Sequence, residues 1–148
     1  MIPHRKRFGF ALALTVATLF SASAARAGLA IQTWTTPGGT KVLFVESRAL
    51  PILDVQVDFR AAGAEAPAGK AGIAGLTRGL LESGAGTLDE DAIANRVADL
   101  GAQITGGADM DRASLSLRTL SNPAERDGAV ELLATLIRQP VFPAAAVE

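Results

Sequence analysis

Cysteine and histidine are the residues that this chain of 148 residues most conspicuously lacks. It contains no cysteine, and its single histidine is His4. Beyond residue 27 the chain therefore has no side chain that could form a disulfide, act as a thiol nucleophile or offer an imidazole to a metal. Metal sites built from cysteine or histidine are excluded for that part of the sequence.

Positive charge is also scarce once the N-terminus is set aside. The first 27 residues hold four of the 14 basic residues and no acidic residue. The other 121 residues carry 10 basic and 15 acidic side chains, which gives a net charge of about −5. Nucleic-acid binders usually present a basic patch or stripe, so this balance argues against nucleic acid as a partner.

The N-terminus has the three parts of a secretory signal peptide. Basic residues at 4–7 precede an uncharged, mostly apolar run of 13 residues at 8–20, and small residues follow up to the A-x-A pattern at 25–27. That run is shorter than the roughly 20 residues of a transmembrane helix, which favours a cleaved leader over an uncleaved anchor. We expect cleavage after Ala27, export to a bacterial periplasm without membrane attachment, and a mature domain over residues 28–148.

Alternating hydrophobicity and turn residues predict strands that come in hairpins. Residues 32–36 and 41–46 flank a Pro-Gly-Gly turn, and apolar residues alternate with polar ones over 53–59. After a loop predicted at 61–71 and two helices, residues 103–108 and 113–120 predict a second hairpin. Strands in hairpins, rather than in strict alternation with helices, favour an α+β layer over a doubly wound sheet.

Helical spacing predicts three helices, over residues 72–82, 87–100 and 123–138. Thr87 and Glu90 form the T-x-x-E pattern of a capping box at the start of the second helix, and Gly101 is expected to end that helix. Asn122 is expected to cap the start of the third helix. The apolar stripes expected to face a core are, helix by helix, Ile73, Leu76 and Leu80; Ile93, Val97 and Leu100; and Val130, Leu133, Ala134 and Ile137.

Seven segments together resemble the opening of the M16 peptidases, the pitrilysin, insulinase and mitochondrial-processing-peptidase family. They are, in order, TPGGTKVLFVE (36–46), LPI (50–52), FRAAG (59–63), GKAGIA (69–74), GAGT (84–87), LGA (100–102) and PVFP (140–143). The resemblance implies an M16 metallopeptidase-like (LuxS/MPP-like) two-layer α+β domain, in which helices pack on an antiparallel or mixed sheet. We expect the domain to be incomplete at the C-terminus.

The family's chemistry depends on an inverted zinc motif, H-x-x-E-H, carried by a helix. Histidines four residues apart bind zinc from one helical face, and the glutamate activates a metal-bound water. In the resemblance this motif falls on residues 75–79, where Gly75 and Gly79 replace the histidines and Arg78 replaces the glutamate. We therefore expect no catalytic residue and no zinc in this segment, with zinc only in a catalytic partner or a missing region.

Each of the three residues that replace the zinc motif has a possible structural or functional role. Gly75 and Gly79 could admit another backbone closely, which we favour slightly over loss of constraint, because a glycine inside a helix costs about 1 kcal/mol relative to alanine. Arg78 could contact a substrate carboxylate or a partner subunit, but a solvated surface position is the favoured interpretation.

Three hypotheses for function follow from the resemblance. The first is an exported, non-catalytic M16 subunit that helps to bind peptide and pairs as a heterodimer with a zinc-bearing M16 peptidase. The second is a part of a longer zinc metalloendopeptidase whose active site lies outside this segment. The third is a stand-alone peptide-binding module.

Peptide binding has its own candidate residues. Family members bind peptide as an added strand along a sheet edge beside the metal helix, and the matching stretch here is Ile104, Thr105, Gly106 and Gly107. Backbone pairing needs no particular side chain, so this role can persist without zinc; an ordinary edge strand is the equal alternative. The acidic residues at 89–91 are expected to complement a helix dipole, and Asp109 and Asp111 to form a polar turn.

Overall fold

The chain divides between Ser47 and Arg48 into two units. The computed structural model describes residues 30–60 and 66–147, so the expected leader and part of the loop predicted at 61–71 lie outside the described residues. The first unit contains a hairpin of β1 (Ile31–Thr35) and β2 (Lys41–Val45), paired antiparallel. Gly39 closes its turn at a φ of 84°, a conformation that favours glycine. The predicted first hairpin is thus confirmed, with strand ends shifted by one residue.

A three-stranded antiparallel sheet forms the centre of the second unit. It is built from β3 (Ile52–Phe59), β6 (Gln103–Ala108) and β7 (Ala113–Leu120), in the order β3-β7-β6. The predicted hairpin of β6 and β7 is confirmed with both strand ranges as expected, and β7 lies between the two other strands. In the described part of the chain β6 therefore has a neighbouring strand on one side only.

The core lies on one face of that sheet. Alternation along β7 buries Leu115, Leu117 and Thr119, while Ser116 and Arg118 point to the other face. The long helix α3 (Pro123–Arg138) packs against β7 and buries Ala129, Leu132, Leu133 and Leu136. Hairpin strands covered by helices give an α+β domain, which confirms the predicted fold class.

Helix α3 begins and ends where the sequence predicts, but its buried stripe is different. Of the predicted residues, Leu133 is buried, whereas Val130 is 40% exposed. Two apolar stripes overlap on this helix, and β7 contacts the one that contains Leu132 and Leu136. The spacing of apolar residues predicts a helix here but does not indicate which of the two stripes is buried. The Asn122 amide donates to the Glu125 carboxylate, and its side chain makes no hydrogen bond to the helix backbone.

The middle helix, α2 (Glu90–Asp99), starts later than predicted. Its N-cap is Asp89, whose carboxylate accepts a hydrogen bond from the backbone N–H of Ala92 at 2.9 Å. The capping box at Thr87 is therefore wrong, because residues 84–89 instead form two short paired strands, β4 (Gly84–Ala85) and β5 (Leu88–Asp89). Ile93 and Leu100 are buried as predicted, and Gly101 follows the helix at a φ of 55°.

Two further helices complete the described chain. Helix α1 (Ile73–Leu80) precedes β4, and a short α4 (Ala144–Val147) follows α3. The predicted core stripe of α1 is wrong, because Ile73 and Leu76 are 43% and 54% exposed and no residue of this helix is buried. Among residues 30–60 and 66–147, no helix combines the length and apolar character needed to cross a bilayer.

Candidate functional site

The three residues at the zinc-motif positions lie together on α1. This helix starts after Gly72, which has a left-handed φ of 87°. Apart from the backbone of the helix itself, no described atom lies within 4 Å of a Cβ built on Gly75 or on Gly79, so no other element packs closely on either glycine. Among residues 30–60 and 66–147 no other backbone approaches these glycines, and the expectation that one does stays a prediction. The face that the two histidines would occupy is open.

Arg78 is held inside the structure rather than in solvent. Its side chain is only 13% exposed, and its Nη1 donates to Glu82 Oε1 at 3.1 Å, one turn along the chain. Its Nε is buried and has no hydrogen-bond acceptor among the described residues. The favoured prediction of a solvated surface arginine is wrong. The i, i+4 pairing of Arg78 with Glu82 was the signal in the sequence that could have indicated an ordered side chain.

The guanidinium of Arg78 lies against Gly106 of β6. A Cβ added to Gly106 would come within 2.6 Å of Arg78 Nε and would also collide with the backbone oxygen of Ser114. Only a residue without a side chain allows this approach. The structure thus joins the two sets of residues that the sequence singled out, the zinc-motif positions on α1 and the expected peptide-binding strand.

The expected peptide-binding residues all belong to this edge strand. Ile104, Thr105, Gly106 and Gly107 lie within β6, and each is in register with a residue of β7. The opposite side of β6 carries no strand in the described part of the chain. Backbone groups on a free edge are available to pair with an extended peptide.

The residues of α1 do not suit a zinc ion. Glycine offers no ligand, and an arginine carries a permanent positive charge that repels a cation. Residues 30–60 and 66–147 contain no cluster of three or more His, Cys, Asp or Glu side chains that could hold a metal. The family's metal chemistry therefore has no donor set at this position.

A cavity of about 560 Å³ opens beside α1. Its walls come from α1, from the ends of β3 and β7, and from the end of α3 with the segment that follows it. This cavity could not be predicted from the sequence, because its apolar residues come from five separate parts of the chain. The lining residues are Phe59, Ala66, Pro67, Ile73, Ala74, Thr77, Arg78, Leu81, Ala113, Ser114, Leu115, Ile137, Pro140 and Phe142. Arg78 is the only charged residue among them.

The remaining candidate carboxylates have structural roles. Asp89 caps α2, and the Asp109 carboxylate accepts hydrogen bonds from the backbone N–H groups of Arg112 and Asp111, both at 2.8 Å. These two bonds, that from Arg112 first, lower the pKa of Asp109. The prediction of a polar turn at Asp109 is confirmed.

One ion pair lies on the face of the sheet that points away from the core. Arg118 donates from Nε and Nη2 to the two oxygens of Asp54, at 2.6 and 3.0 Å. The hydrogen bond from Arg118 lowers the pKa of Asp54. This pair joins neighbouring strands, and neither residue lines the cavity.

Many solved structures match this chain, among them one that is related in sequence and two that share the fold. The chain matches no protein-family model and no curated protein. An inactive peptidase M16 domain from Pseudomonas fluorescens is 40% identical over 80% of this chain and 29% of its own length, with a TM-score of 0.77. A protease from Helicobacter pylori is 18% identical over 80% of this chain and 28% of its own, with a TM-score of 0.70.

The periplasmic protease PqqL from Escherichia coli is 15% identical over 83% of this chain and 14% of its own length, with a TM-score of 0.71. The chain thus spans less than a third of each of these proteins. At identities of 15% and 18% the two proteases show the fold alone. The identity of 40% with the Pseudomonas domain agrees with the motifs at residues 36–143. The chain therefore belongs to the M16 peptidase family, and its sequence carries a degenerate form of the family's zinc motif.

Proposed function

We propose that this chain is a non-catalytic M16 domain that binds extended peptide along β6 and works beside a zinc-bearing M16 peptidase subunit. The observation that carries the proposal is the arrangement at α1. An arginine occupies the place of the catalytic glutamate and lies against an edge strand, one side of which has no strand partner among the described residues. That edge supports binding of peptide backbone, whereas the groups that would hold zinc and activate water are replaced.

The exposed edge of β6 supports the peptide-binding part of the proposal. A strand at the edge of a sheet has unpaired backbone N–H and C=O groups, which can pair with a strand from another chain. Gly107 has no side chain, and no described atom lies within 4 Å of a Cβ added there, so the backbone at this point is open to another strand. An added peptide strand would satisfy the free N–H and C=O groups of this edge.

Export is the second part of the proposal. The leader at residues 1–27 has the three parts of a cleavable signal peptide, and the similar PqqL protein is a periplasmic protease. We infer that the mature chain begins at residue 28 and acts in the periplasm. Mass spectrometry of the N-terminus after expression in a Gram-negative host tests this inference, and an intact residue 1 in a membrane fraction would contradict it.

The peptide-binding role is tested with two versions of one labelled peptide. The first has an ordinary backbone, and the second is methylated on alternate backbone nitrogens, which removes the donors needed for strand pairing while keeping the side chains. Fluorescence anisotropy should show binding of the ordinary peptide and a loss of about tenfold or more with the methylated copy, since several backbone hydrogen bonds are lost. Equal affinity for both would contradict binding along β6.

The proposed partnership is tested by co-expression with an M16 chain from the same organism that carries H-x-x-E-H. A stable complex, in which peptide cleavage needs both chains, is the expected result. A chain that remains alone and binds peptide would instead support a stand-alone peptide-binding module.

A second candidate function follows from the short coverage of the relatives. The chain spans 28% of the Helicobacter protease and 14% of PqqL, so it could be one part of a longer zinc metalloendopeptidase. Stoichiometric zinc and peptide turnover in the complete polypeptide, with an H-x-x-E-H outside residues 1–148, would establish that function and replace the first proposal.

A further inference from the structure

We propose that the cavity beside α1 binds the C-terminal residue of a peptide, with Arg78 receiving the α-carboxylate and the apolar walls receiving the side chain. The inference rests on the proposed peptide-binding function and names the part of the peptide that is selected. Its support comes from the charge of the cavity, the unused donors of Arg78 and the distance from Arg78 to β6.

The walls of the cavity combine apolar surface with one positive charge. Phe59, Leu81, Ile137 and Phe142 contribute apolar side chains, and Arg78 is the only charged residue that residues 30–60 and 66–147 bring to the lining. A cavity of about 560 Å³ has room for more than one side chain. The ligand that complements it carries one negative charge beside an apolar group.

Arg78 has N–H groups that do not donate to any described side chain. A guanidinium has five N–H groups in a rigid fork, and the one side-chain partner of Arg78 among the described residues is Glu82, through Nη1. The Glu82 side chain is 37% exposed, so water competes for its charge and it neutralises the arginine only in part. A carboxylate that binds the remaining N–H groups adds charge-assisted hydrogen bonds beside the apolar walls.

The position of Arg78 connects this cavity to the edge strand. Its Nε packs on Gly106 and its side chain lines the cavity, so the arginine contacts both β6 and the cavity. A C-terminal residue bears its carboxylate and its side chain on the same carbon atom, which matches one cation surrounded by apolar walls. An aspartate or glutamate within a peptide would place its carboxylate on the arginine and leave the apolar walls unfilled.

The test uses the complete mature chain and one labelled peptide of about seven residues that ends in leucine. The peptide is made as the free acid and as the C-terminal amide, and both are titrated by fluorescence anisotropy. The free acid should bind about tenfold or more tightly than the amide, since charge-assisted hydrogen bonds are lost in the amide. Arg78→Gln should lower the affinity for the acid to that for the amide and leave the amide unaffected.

Two variants control for charge and for geometry. Arg126→Gln removes the same charge from α3, at a residue that does not line the cavity, and should preserve the preference for the acid. Arg78→Lys should restore only part of it, because lysine keeps the charge but lacks the several N–H donors of a guanidinium. If Arg78→Gln does not fold, the comparison of acid with amide on the unmodified chain decides alone.

The outcomes separate this inference from the function on which it rests. Equal binding of acid and amide would overturn the carboxylate site and leave strand pairing on β6 intact. A preference for the acid that needs Arg78 but tolerates backbone methylation would keep the site and overturn pairing. Binding of neither peptide would overturn both. Lauric acid is titrated as a competitor, and an affinity above that of the peptide acid would overturn the assignment to a peptide.

Discussion

Helices α1 and α3 belong to the same unit and have opposite relations to its core. Helix α3 buries four residues against β7, while α1 buries none. The glycines differ in the same way: nothing lies within 4 Å of a Cβ built on Gly75, whereas a Cβ on Gly128 of α3 would meet Leu100 Cδ2 at 2.8 Å. The resemblance places the family's zinc motif on α1, where this chain has Gly75, Arg78 and Gly79. The two helices thus separate the part of the unit that builds the core from the part where the motif residues are replaced.

The largest effect is expected from a truncation in the core. Leu136 is fully buried between α3 and the sheet, so Leu136→Ala should lower the free energy of unfolding by about 2–5 kcal/mol through lost contacts and a cavity. Urea denaturation followed by circular dichroism measures this change. Val130→Ala on the exposed side of α3 is the matched control and should cost under about 1 kcal/mol. Equal losses at the two positions would contradict the assignment of the buried stripe.

A smaller loss of stability is expected from a substitution at the contact between α1 and β6. Gly106→Ala places a methyl group against Arg78 and the Ser114 backbone, so the free energy of unfolding should fall by about 1–3 kcal/mol. Gly107→Ala is the control, because no atom lies within 4 Å of its added Cβ. The same denaturation experiment compares the two. A Gly106→Ala variant as stable as Gly107→Ala would show that Arg78 does not pack on this strand.

On the open face of α1, a substitution is expected to raise the free energy of unfolding rather than to lower it. Gly75→Ala adds a methyl group to free space and restricts the unfolded chain, so the domain should gain about 0.5–1 kcal/mol. Gly128→Ala should not stabilise, because Leu100 must move to admit the methyl group. Thermal melts of both variants measure the contrast. A destabilised Gly75→Ala would indicate that another chain or segment packs on this face.

The smallest effect concerns the Asp54–Arg118 pair on the outer face of the sheet. The pKa of Asp54 in the folded state lies below its ordinary value. The pair therefore stabilises the folded state at pH values above that ordinary pKa, and this stabilisation is lost as the pH falls through the lowered pKa. Arg118→Gln should raise the pKa of Asp54 towards its ordinary value, measured by NMR titration of the carboxyl group. Asp109, which is held by backbone N–H groups, should keep its lowered pKa in that variant. An unchanged titration of Asp54 would contradict the pairing.

Features set by local chemistry could be predicted from the sequence. Turn residues around Asp109 and alternation in the flanking strands predicted the β6–β7 hairpin, and Pro123 marked the start of α3. Gly101 ends α2 with the positive φ that favours glycine. Each of these signals acts within a few residues along the chain.

Features set by tertiary partners could not be predicted in this way. Thr87 and Asp89 are both competent caps, and the pairing of β4 with β5 decides between them. The site shows the same limit, because Arg78 is buried through its contact with Gly106 on another element. Replacement of the zinc motif could be identified from residues 75–79, whereas the cavity beside α1 could not.

The site formed by α1 and β6 is proposed to bind peptide without zinc chemistry. The most direct measurement is the affinity of the mature chain for one labelled peptide, titrated in chelator and again in micromolar zinc, with the peptide analysed by mass spectrometry afterwards. The proposed function predicts the same affinity in both conditions and an intact peptide. Binding that requires zinc, or cleavage of the peptide by this chain alone, would contradict it.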